Sequence, residues 1–114
     1  MSAPVTGTMS DLGAVGELVE VATDATVSRT VLTAEGARLV LFAFDTGQEL
    51  TEHTAAVPVL LQVLDGALLV AASGREVTLR PGGVVHLPSR LPHAVHALEP
   101  SRMLLTMLDP RLTG

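Results

Sequence analysis

The side chains with the widest chemical range in this sequence are its four histidines, His53, His86, His93 and His96. Three fall within His86-Leu-Pro-Ser-Arg-Leu-Pro-His93-Ala-Val-His96, and the fourth closes Gly47-Gln-Glu-Leu-Thr-Glu-His53. An imidazole can ligate a metal, act as a general base, or anchor a ligand from an apolar wall. Other reactive groups are scarce. There is no Cys, which removes disulfides, thiolate nucleophiles and Cys-based metal sites together. There is no Lys, which removes Schiff-base chemistry. Ser28, Ser73, Ser89 and Ser101 lie in no recognisable nucleophile elbow.

The elements that must position the histidines read as strands. Short runs dense in Val, Leu and Thr alternate with Gly, Pro and Asp, the rhythm of a sandwich or barrel. Strands are predicted at Leu18–Ala22, Thr26–Thr33, Ala37–Asp45, Glu49–Thr54, Val59–Leu64, Ala67–Ala72, Glu76–Arg80, Val84–Pro88, Ala94–Leu98 and Met103–Leu108. Turns are predicted at Glu35-Gly36, Asp65-Gly66, Ser73-Gly74, Pro81-Gly82-Gly83 and Glu99-Pro100. Asp65-Gly66, between two apolar runs, reads as a type I′ hairpin turn. Ser101 and Arg102 read as polar strand-end residues. Residues 1–14 are rich in breakers and read as a frayed arm, with a helical turn at Asp11–Val15; residues 15–114 read as one domain.

Residues two apart in a strand share a face. His93 and Val95 therefore point one way and His96 the other. His53 shares a face with Ala55, Val57, Val59, Leu61 and Val63 if no bulge intervenes. His86 cannot be assigned a face through the turn Pro88–Pro92.

The spacing of these residues resembles the small single-domain cupins. Their first motif is a Gly, five residues, His-x-His, three or four residues, Glu, six residues, Gly. Here Gly47, His53-Thr54-Ala55, Val59 and Gly66 keep that frame. Their second motif is a Gly, five residues, Pro-x-Gly, two residues, His, three residues, Asn. Here Gly82, Pro88-Ser89-Arg90, His93 and Ala97 keep it too. The resemblance covers roughly Leu39 to Leu108. It implies an all-β protein, a jelly-roll β-barrel (a double-stranded β-helix) with an internal pocket and often a dimer.

The departures bear on function. In metal-binding cupins the two first-motif histidines, the glutamate and the second-motif histidine hold one transition metal. His53 and His93 remain as metal ligands, but the other two positions are Ala55 and Val59. The closing Gly of Pro-x-Gly is Arg90, and the final Asn is Ala97. Catalytic zinc and non-haem iron sites usually use three protein ligands. Two histidines alone predict a weak site for one divalent transition metal. The candidates for a replacement ligand are His86, Glu49, Glu52 and His96. Without metal, the expected pocket is an apolar interior lined by Ala55, Val59, Leu61 and Val95, with His53 and His93 as its polar groups.

Composition narrows the partners. Seven arginines face twelve carboxylates, for a net charge of -5, and the only non-histidine aromatics are Phe42 and Phe44. Neither the charge nor the aromatics suit nucleic acid or an anionic membrane. No apolar run approaches the roughly 20 residues of a membrane span, and the first basic side chain is Arg29, so a cytoplasmic location is expected. Apolar residues on both faces of Val59–Leu64 and Ala67–Val70 predict a covered second face, by another sheet or by a homodimer partner. Three functions follow: a small-molecule-binding module, a metal-dependent dioxygenase or isomerase with a third ligand still to be found, and a structural dimer with a packed interior.

Overall fold

The computed structural model describes residues 7–113. After a 3₁₀ turn at Val15–Leu18 come strands β1 (Thr26–Phe44), β2 (Glu49–His53), β3 (Val59–Asp65), β4 (Leu68–Ala72), β5 (Arg75–Leu79), β6 (Val84–Leu87), β7 (His93–Ala97) and β8 (Ser101–Thr113). They form two antiparallel sheets, ordered β1-β8-β3-β6 and β2-β7-β4-β5, that close as a jelly-roll barrel. The main core lies between them, around Phe44, Leu61, Val63, Leu68, Val70, Val95 and Met103. These side chains alternate with outward-facing ones, as a pleated strand requires. Among the described residues, no helix is long and apolar enough to cross a membrane.

The strands expected at Thr26–Thr33 and Ala37–Asp45 run together as β1, with an irregularity between Glu35 and Ala37. Nineteen extended residues would span about 60 Å. Yet the Asp45 amide donates to the Ala25 carbonyl at 3.1 Å, so the two ends of β1 lie side by side. The chain doubles back at Gly36, whose φ is 76°.

No strand forms at Leu18–Ala22. Val19 has extended backbone and is buried, packing with Leu41 and Ala43 on the outer face of the first sheet. Its carbonyl accepts from Arg102 Nε at 2.9 Å, and the Leu18 carbonyl accepts from Arg29 Nη1 at 3.1 Å. Guanidinium groups thus take acceptors that a strand would offer to a ladder. The helical turn expected at Asp11–Val15 falls instead at Val15–Leu18. Residues 1–6 of the expected arm lie outside the described residues.

The largest revision concerns Asp65-Gly66. β3 and β4 do not pair; they belong to different sheets, and Asp65-Gly66 carries the chain across. Asp65 is not among the residues with positive φ, so the turn is not type I′. Gly66 is required for another reason. Its φ is 83°, and a Cβ there would run into the Pro100 carbonyl and the Ser101 hydroxyl. The type I′ geometry sits at Ser73-Gly74, where φ is 54° and 70° and Ala72 pairs with Arg75. Ser101, read as a polar strand-end residue, begins β8 and is fully buried. Its hydroxyl accepts from the Ala67 amide at 3.0 Å and donates to the Glu99 carbonyl at 2.7 Å, tying the sheet crossover to the start of β8.

Candidate functional site

His53 and His93 are direct cross-strand partners in β2 and β7. Their ring centroids are 4.3 Å apart, with planes inclined at 60°. His93 is 4% exposed, whereas His53 is exposed at the barrel mouth. Both line one cavity of about 40 Å³, together with Ala55, Val59, Leu61 and Val95. Phe42, Leu50, Met103 and Leu105 complete its wall.

A bulge produces this arrangement. Glu49 pairs with His96 and Leu50 with Val95, but His53 rather than Glu52 pairs with His93. β2 therefore carries one extra residue between Leu50 and His53. A regular ladder continued from Leu50 would have set Glu52 against His93. The bulge displaces Glu52 and returns His53 to the inner face, a re-aiming that bulges commonly perform near sites.

Each ring is fixed by the backbone. His53 Nδ1 lies 2.7 Å from the Thr51 carbonyl, and His93 Nδ1 lies 2.9 Å from the Leu91 carbonyl. A carbonyl only accepts, so both Nδ1 atoms are the donors. In the neutral rings each Nε2 then keeps its lone pair. Thr51 is outside the β2–β7 ladder, and its carbonyl serves His53 instead.

The turn behind His93 is anchored through Arg90. Its amide donates to the Ala55 carbonyl at 2.7 Å, which joins the loop after β2 to the loop before β7. Arg90 has a φ of 63°, a left-handed conformation that favours glycine.

The proposed replacement ligands are elsewhere. His96 points outward, with Nδ1 3.4 Å from Glu49 Oε2. His86 pairs with Leu60 on the outer face of the first sheet and is exposed. Glu52 is exposed in the bulge. None of them lines the cavity. Among the described residues, no group of three or more His, Asp or Glu side chains can hold a metal ion.

The family model for the cupin domain matches residues 40–108, the stretch from the inner part of β1 to the middle of β8. The chain belongs to the cupin family. Among solved structures, this cupin superimposes on the conserved protein of unknown function SPY1581 from Streptococcus pyogenes with a TM-score of 0.80 at 23% identity, over 97% of either chain. A cupin 2 conserved barrel domain protein from Leptotrichia buccalis is 29% identical with a TM-score of 0.76, over 82% of this chain and 45% of that one. KdgF from Halomonas sp. is 26% identical with a TM-score of 0.68, over 82% and 86% of the two chains. Comparison with curated proteins gives no match.

The donor set decides how far the metal chemistry of cupins applies. Two imidazoles reach the cavity, and the positions of the other two family ligands are the methyl of Ala55 and the isopropyl of Val59. No carboxylate is present in the wall to balance a divalent charge. The residues present do not fit a resident catalytic metal.

Proposed function

We propose that this cytoplasmic cupin is a binding module for a compact small molecule, held at the barrel mouth through Nε2 of His53 and Nε2 of His93. The observation that supports this most directly is the pair of Nδ1 hydrogen bonds to the Thr51 and Leu91 carbonyls. They leave two acceptor nitrogens in adjacent rings at the edge of an apolar cavity. Orienting polar groups on an apolar wall are the usual form of a small-molecule site. A ligand with a hydrogen-bond donor and a short apolar group suits these walls. A cavity of about 40 Å³ has room for only two or three waters, so the ligand's bulk stays outside. Any divalent ion at the same place would have two protein nitrogens and be held weakly.

A crystal of untagged protein, with an anomalous scan and mass spectrometry of what co-purifies, tests the reading. The expected result is density in contact with both Nε2 atoms, absent from His53→Ala. Only ordered water at both rings, with nothing co-purified, overturns it. So does a stoichiometric transition metal, which would favour the metal-dependent enzyme.

The small cavity favours one second reading, a structural dimer with a closed interior. His53→Ala would then alter stability alone. Self-association is part of either reading. It is supported by the half-buried outer positions Leu69 and Ala71 of β4, whereas outward-facing Leu64 of β3 packs with Val19. A monomeric mass by light scattering at micromolar protein would remove it.

A further inference from the structure

β5 ends the second sheet and β6 ends the first, and these two edge strands do not pair. A groove of about 320 Å³ lies there, within the range of small-molecule sites. Its walls are Val70, Val77, Val85, Leu87 and Leu91, drawn from both sheets and the turn before β7. Ser73, Arg75 and His86 are its polar lining residues, and all three are exposed. It shares no lining residue with the cavity of His53 and His93.

Glu52 and Glu76 line an adjoining hollow that also takes in Arg75, outside the groove itself. The chain has twelve carboxylates against seven arginines, yet no Asp or Glu lines the groove. Arg75 belongs to none of the ion pairs found among the described residues. A guanidinium in no ion pair beside an aliphatic trough is complementary to an anion with a hydrocarbon tail. The aliphatic walls contain no aromatic ring to stack on. We propose that this groove is a second binding site, for a short-chain aliphatic carboxylate, with its tail between Val77 and Val85 and its carboxylate at Arg75.

The test is an amide NMR titration of the full chain with sodium hexanoate and, separately, with 1-hexanol. A ligand of this size should bind with a dissociation constant on the order of 1 mM. Shifts should map to Val70, Val77, Val85 and Leu91. Hexanol should bind more weakly, and Arg75→Gln should weaken hexanoate about threefold or more, the scale of an exposed ion pair, while leaving hexanol unchanged. His53→Ala should leave hexanoate binding intact, which separates this site from the barrel mouth. Equal affinity for the acid and the alcohol overturns the proposal, as does an unaffected Arg75→Gln variant. Shifts confined to His53 and His93, or groove shifts that follow protein dilution instead of hexanoate, overturn it as well.

Discussion

Leu50 and His53 lie three residues apart in one strand and still line the same cavity. Strict alternation forbids this, and the extra residue between them in β2 permits it. The same bulge leaves Thr51 outside the ladder, where its carbonyl fixes the His53 ring. A backbone irregularity thus sets both the direction and the tautomer of one of the two site histidines.

The first prediction concerns those tautomers. Long-range nitrogen–proton NMR correlations in the neutral state should show both His53 and His93 protonated at Nδ1 and bare at Nε2. The outward-facing His86 and His96 serve as internal references. Finding His93 protonated at Nε2 would contradict the assigned hydrogen bonds and remove the acceptor pair on which the site depends.

Metal response follows from the missing donors. Zinc should raise the melting temperature of the wild-type protein very little, because two nitrogens form an incomplete shell. The double variant Ala55→His/Val59→Glu should melt lower without metal, since a carboxylate then occupies an apolar wall, and should gain markedly on adding zinc. An equal zinc response in the two proteins would show that positions 55 and 59 do not limit binding.

Gly66 and Ser101 form a tight backbone junction. Gly66→Ala should destabilise by more than about 4 kcal/mol or prevent folding, because its Cβ meets Pro100 and Ser101 backbone atoms as well as a hydroxyl. Ser101→Ala should cost about 1–3 kcal/mol in urea unfolding, the penalty of leaving the buried Ala67 amide without its acceptor. A Ser101→Ala protein as stable as wild type would show that the Ala67 amide has another partner.

Arg90 offers a stabilising substitution. Left-handed backbone costs an L-residue about 1–2 kcal/mol, and the greater freedom of glycine in the unfolded chain takes back part of the relief. Arg90→Gly should therefore stabilise by about 0.5–1 kcal/mol. Arg90→Ala, with the same φ of 63° imposed on it, should bring no such gain. Equal midpoints for all three proteins in denaturant unfolding would show that the turn carries no strain.

Much of this protein could be read from its residues in order. The two-residue period of a strand fixed which side chains share a face, His93 with Val95 and Val59 with Leu61 and Val63. The resemblance to the cupin motifs implied that His53 and His93 share one site with Ala55 and Val59. Three features depended on partners far along the chain. Asp65-Gly66 has the composition of a hairpin turn, and only its contact with Pro100 and Ser101 makes it a crossover between sheets. Leu18–Ala22 has strand-like residues, and Arg29 and Arg102 take the Leu18 and Val19 carbonyls before any ladder can form. The bulge in β2 is invisible in composition because it belongs to the pairing with β7, where one residue must be lost for His53 to meet His93. Local sequence determines conformational preference and facing; which surfaces actually meet is decided by packing between segments distant in the chain.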